Sequence, residues 1–147
     1  MLRRNAPAAA LMLATTAAMA VAFKEWSATL NPMNGSTLSG TATAQPAVGD
    51  TLVVSVQVKQ GTRGASNPWH VHAGGCDSSG AILGDPARYA PIVIGADLAG
   101  TASARVKAVL TVGVAYSVNV HRSPGDDQVI ACGNLRPIAG GDIGEPK

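Results

Sequence analysis

The sequence predicts an all-β protein: an antiparallel Greek-key β-sandwich or flattened barrel of about eight short strands, stapled by one disulfide. Three observations predict it. From Phe23 onward the apolar residues alternate or fall in short runs rich in Val, Thr and Ile, with no convincing 3.6-residue stripe. Gly (17) and Pro (9), together with Asn and Asp, break the chain at short intervals. Two cysteines, Cys76 and Cys132, make an even pair.

The strands are expected at residues 24–30, 37–44, 51–59, 69–72, 92–94, 100–109, 116–121 and 129–133. Turn chemistry separates them. Asn31-Pro32-Met33-Asn34-Gly35 is a turn cluster, which also accounts for the glycosylation sequon Asn34-Gly35-Ser36. Gly61 and Gly64 break the loop from Gln60 to Pro68. An irregular stretch carries Gly74-Gly75, Ser78-Ser79-Gly80 and Gly84-Asp85-Pro86, and Pro124-Gly125-Asp126-Asp127 reads as a further loop. From Pro137 three glycines mark a flexible tail, so one β domain is expected over 21–136 and the tail over 137–147. Aromatics are only 3% of the chain, so Val, Ile, Leu and Ala must build the core.

Residues 1–20 read as a secretory signal peptide. Arg3 and Arg4 form the positive start, a largely apolar run covers 8–18, and Ala18-Met19-Ala20 is a cleavage site, with Ala20-Val21-Ala22 as the alternative. The run is short and alanine-rich for a membrane span, and no other segment is long and apolar enough to be one. Cleavage lowers Lys plus Arg from 11 to 9, equal to the 9 Asp plus Glu. A neutral mature chain with no basic patch excludes a nucleic-acid partner and an acidic membrane surface. The expected location is periplasmic or secreted. In that oxidising setting a Cys76–Cys132 disulfide is the default, worth about 4 kcal/mol on the chain-entropy model. The competing reading is a thiolate metal site, for which neither cysteine has a C-x-x-C partner.

The chain has three histidines, and their placement is its most informative feature. In Trp69-His70-Val71-His72, the apolar residues share one face of a strand and the histidines the other. In the run from Tyr116 to His121, Tyr116, Val118 and Val120 share one face, while Ser117, Asn119 and His121 share the other. With the apolar faces in the core, His70, His72 and His121 point outward. If the two strands are neighbours, the imidazoles converge on one patch of outer wall. Imidazole suits zinc, copper, iron and nickel, and three of them leave an open metal position. The bland alternative is three unrelated surface histidines.

At these residues the chain resembles the copper/zinc superoxide dismutase family. The matching stretches are Val54 to Val58, Gly61-Thr62-Arg63-Gly64, Trp69-His70-Val71-His72-Ala73-Gly74-Gly75-Cys76, Asp97-Leu98-Ala99-Gly100, Val118-Asn119-Val120-His121 and Ile130-Ala131-Cys132-Gly133. The resemblance implies one copper ion held by His70, His72 and His121, and again the Cys76–Cys132 disulfide. It departs from the family in having no bridging histidine and no zinc-ligand histidines beside Asp77 and Asp85, so no zinc is expected. Val129 stands where the family keeps an anion-guiding arginine; Arg122 and Arg88 are the candidate substitutes. A second resemblance is to the chordin-type (CHRD) domain, carried best by the run from Tyr116 to His121.

Three functions follow as expectations. The first is an exported copper protein dismutating superoxide, with Asn119 as a candidate for fixing an imidazole tautomer. The second is non-catalytic copper binding for buffering, delivery or sensing. The third is a structural CHRD-like module with vestigial histidines.

Overall fold

The computed structural model describes residues 23–139; the expected signal peptide, both cleavage sites and residues 140–147 of the tail lie outside the described residues. Among these the strands are β1 (Phe23–Pro32), β2 (Ser39–Ala47), β3 (Thr51–Lys59), β4 (Ser66–Asn67), β5 (Trp69–Ala73), β6 (Ile92–Val93), β7 (Gly100–Lys107), β8 (Tyr116–Ser123), β9 (Asp126–Asn134) and β10 (Arg136–Ala139), with one 3-10 turn at Pro86–Arg88. No helix of the described residues is long and apolar enough to cross a membrane.

The strands form a curled antiparallel sheet in the order β5-β8-β9-β1-β2-β3-β7, with β10 beside the start of β1, and β4 and β6 form a separate two-stranded pair. β1 joins the two halves. Its Trp26 to Leu30 stretch pairs with β2, while Asn31 and Pro32 pair with Cys132 and Ala131 of β9. The connections from β3 to β5 and from β7 to β8 cross between the halves, so β5 and β8 meet as neighbours although some 40 residues of other strands and loops separate them in the chain.

The alternation read from the sequence places the core. Leu30, Leu52, Val54 and Val56 of one half meet Trp69, Val71, Val118 and Val120 of the other, each no more than 1% exposed. Full burial of such side chains contributes about 1.5–3 kcal/mol apiece. The few aromatics work in pairs: Trp26 meets Tyr116 edge-on at 5.9 Å, and Trp69 meets Tyr89 edge-on at 5.1 Å. Cys76 and Cys132 are disulfide-bonded across 56 residues, tying the segment after β5 to β9. No free cysteine remains among the described residues, which removes the thiolate metal reading.

All eight expected strands form, and three details differ. The short β4 pairs with β6 within what read as a loop. β10 pairs with β1, Trp26 opposite Pro137 and Glu25 opposite Ile138, so the sheet continues past residue 136. Pro137 is tolerated there because β10 is an outer strand, where a missing N–H breaks no second ladder. Finally, Asp126 and Asp127 belong to β9, with Ser123 opposite Asp126. The turn is reduced to Pro124-Gly125; the polar run reads as loop because the hairpin end is solvated.

Candidate metal centre

β5 and β8 are neighbours, with His70 opposite Asn119 and His72 opposite Ser117. The next contact along is the His121 N–H donating to the Pro68 carbonyl at 2.8 Å. His72 therefore stands two positions to one side of His70, and His121 two positions to the other. Four positions span about 13 Å of strand. Yet the His72 and His121 rings are 6.2 Å apart, and both lie close to the His70 ring, at 5.9 and 5.5 Å. The outer two lean toward each other over the central one. One ring nitrogen from each histidine lies within 4.8 Å of the other two, so the group can hold a metal ion.

Each leaning ring has a tether. His72 Nδ1 is 2.9 Å from the Gly80 carbonyl oxygen, and His121 Nδ1 is 2.8 Å from the Asp127 carbonyl oxygen. A carbonyl only accepts, so Nδ1 carries the proton in both rings and Nε2 keeps its lone pair for a metal. Neither tether is visible in the sequence, because every residue has a carbonyl and residue type gives no signal of it. Asn119 makes no such bond; its amide donates to Ser79 Oγ at 3.0 Å. Its Oδ1 lies 2.9 Å from Cys132 Sγ, a close contact rather than a hydrogen bond, since a disulfide sulfur has no hydrogen.

The β8–β9 ladder slips at His121: Val120 faces Ala131 and His121 faces Val129, which leaves Ile130 without an opposite residue. Such a bulge bends the strand and re-aims the side chain beside it. Asn67 braces the same place, its Nδ2 donating to the carbonyls of His121 at 3.1 Å and Arg122 at 2.9 Å.

The histidine face is not an open outer wall. His72 is 9% exposed, Asn119 3% and Ser117 fully buried, while His70 and His121 are half-buried. The irregular stretch after β5 roofs them. Ala73 N–H bonds the Ala81 carbonyl at 2.9 Å, and Leu83 N–H bonds the Val71 carbonyl at 2.8 Å, so the chain returns along the edge of β5. Ser79 reaches over to Ser117 Oγ at 3.2 Å. Gly74, at φ +89°, makes the reversal possible, since a Cβ there would collide with the Ser78 carbonyl.

Under this roof His70 Nδ1 and His72 Nε2 are buried without any hydrogen-bond partner. Leaving such atoms unpaired costs about 1–3 kcal/mol each, and a metal ion is a partner small enough for both. Burial holds the His70 imidazole down from 6.5 to about 4, the His121 and His72 rings add to this, and the Asp127 carboxylate opposes it. At neutral pH His70 is therefore uncharged, the form that ligates.

Asp85 caps the 3-10 turn, accepting from Ala87 N–H at 3.0 Å, and exposed Asp77 accepts from the Ser78 hydroxyl at 3.4 Å. Arg122 is engaged with Gln128 and with Asp126 at 3.4 Å. Arg88 borders a depression of about 430 Å3 with Asp85, Arg105 and Lys107, which none of the histidines lines. Asn34 turns the chain at φ +53° and donates from Nδ2 to the Val129 carbonyl at 2.8 Å, in keeping with its turn role. No protein-family model matches the chain, and no curated protein matches it in sequence.

Proposed function

We propose that this chain is an exported, superoxide dismutase-like copper protein that holds one copper ion on His70, His72 and His121 and dismutates superoxide. The observation that carries the copper-binding reading is the pair of buried, unpartnered nitrogens, His70 Nδ1 and His72 Nε2, within a three-histidine group able to hold one ion, whose third ring, His121, is tethered through Nδ1. Three imidazoles suit copper in either of its common oxidation states, and copper supplies one-electron chemistry when bound. The chain's own contribution is to present neutral imidazoles, fix their tautomers through Gly80 and Asp127, and keep bulk water off His72.

One observation favours a second reading, copper binding without turnover. The carboxylate that acts on His70 is that of Asp127, while Arg122 is already paired with Asp126. An approaching superoxide anion gains little attraction from such surroundings.

Copper titration of the mature, disulfide-intact protein tests the proposal, beside a variant with His70, His72 and His121 all changed to Ala. One equivalent bound tightly, and lost in the variant, is expected. Equal binding by the two proteins overturns the site. Superoxide removal by the loaded protein, compared with His121→Ala, then separates catalysis from storage.

A further inference from the structure

His72 and His121 owe their ring orientation to hydrogen bonds with backbone carbonyls, but His70 Nδ1 has no hydrogen-bond partner. An imidazole without a hydrogen bond has a broad, two-fold choice of ring orientation, in which a nitrogen and a carbon exchange places. Something else must present Nδ1.

The aromatic neighbour of His70 from outside the histidine group is Tyr89. The two ring centroids are 5.2 Å apart with the planes at 72°, an edge contact. Tyr89 is itself held at three points. Its ring meets Trp69 edge-on at 5.1 Å, its hydroxyl donates to the Leu83 carbonyl at 2.8 Å, and its backbone N–H donates to the Pro86 carbonyl at 3.2 Å. The next residue is pinned as well, because Trp69 Nε1 donates to the Ala90 carbonyl at 2.7 Å. Trp69 and Val71 flank His70 on β5, and Leu83 bonds to Val71, so the frame that fixes Tyr89 is anchored to the strand that carries His70. Tyr89 is 6% exposed, so it is a wedge and not a gate.

We propose that Tyr89 is a positioning residue of the centre, its ring wedging the His70 imidazole in the orientation that presents Nδ1 in place of a hydrogen bond. The inference rests on the metal-binding reading above. It assigns a purpose to the 3-10 turn at Pro86–Arg88, which delivers Tyr89 to the roof.

The test uses Cu(II) as the probe with Tyr89→Leu and Tyr89→Phe variants. Tyr89→Leu is expected to keep the apo circular dichroism spectrum, bind Cu(II) about tenfold more weakly, as outer partners of metal ligands do when lost, and show altered hyperfine splitting by electron paramagnetic resonance. Tyr89→Phe, which keeps the ring and loses the hydroxyl, is expected to restore both affinity and spectrum. Unchanged affinity and spectrum in Tyr89→Leu overturn the proposal while leaving the three-histidine site standing. Histidine-independent copper binding in the unmutated protein removes the centre, and the proposal with it, which is a separate failure. If Tyr89→Leu does not fold, NMR of the His70 ring in the unmutated apo protein decides: a single fixed orientation supports the wedge, and averaging between two orientations overturns it.

Discussion

The His72 ring donates from Nδ1 to the Gly80 carbonyl at 2.9 Å, and that one bond decides which of its nitrogens is left for a metal. The Asp127 carbonyl makes the same decision for His121. In the metal-free protein at neutral pH, long-range nitrogen–proton NMR is expected to show both rings as the Nδ1–H tautomer. Finding the Nε2–H tautomer in either ring contradicts the arrangement.

The pH dependence of the metal-free protein follows from His70. Its imidazole titrates near 4 when folded, against 6.5 ordinarily. Between these values the unfolded chain holds a proton that the folded one does not, so stability falls as pH drops from 6.5 toward 4. Above 6.5 neither state is protonated there and this contribution is flat. Thermal melts across the window are expected to decline, and to decline less in His70→Phe.

Breaking the disulfide removes more than a chain constraint. Cys76 anchors the start of the roof whose Ser79 and Gly80 hold Ser117 and His72. The Cys76→Ser, Cys132→Ser double variant is expected to lose about 4 kcal/mol of stability by denaturant unfolding. Its copper affinity should also fall, and calorimetric titration at a temperature where the variant is folded checks this.

Asn67 is the brace behind His121, with two bonds to carbonyls at the bulge. Asn67→Ala is expected to cost about 2 kcal/mol, since it strands two carbonyls in a poorly solvated place. Chemical denaturation gives the number directly.

Val129 is the cross-strand partner of His121. If the centre turns over superoxide, a cation at this place should draw the anion in. Val129→Arg is then expected to raise the rate with superoxide several-fold at low salt, the gain shrinking as ionic strength rises. Stopped-flow measurements at two salt concentrations check both halves of the expectation.

The histidine triad was legible because strand alternation needs only residue order: Trp69 and Val71 go one way, so His70 and His72 go the other. The core of β3 was legible for the same reason. The roof was not. The stretch from Gly74 to Pro91 has no periodicity, and its hold on the site runs through backbone groups of Gly80, Ala81 and Leu83 that residue type does not announce. Asn119 has the right chemistry to orient an imidazole and lies on the right face, yet Ser79 descends from the roof and takes its amide. Tyr89 offered a faint signal as an aromatic inside an otherwise turn-forming stretch. β10 gave none, because Pro137 in a strand is permitted only by its outer position, and position in a sheet is a tertiary fact.

The leaning of the outer two rings has a mechanical consequence. Three nitrogens around one ion at bonds of about 2.0 Å stand roughly 3.5 Å from each other, whereas here they lie within 4.8 Å. An ion bound there would draw in any pair that stands wider than this, by up to roughly 1 Å. His72 would then pull on Gly80 and His121 on Asp127, so a hairpin tip and a surface flap would tighten together, like two ends of one drawstring. An ion held by three side chains would be felt as slower backbone exchange in two segments that share no strand.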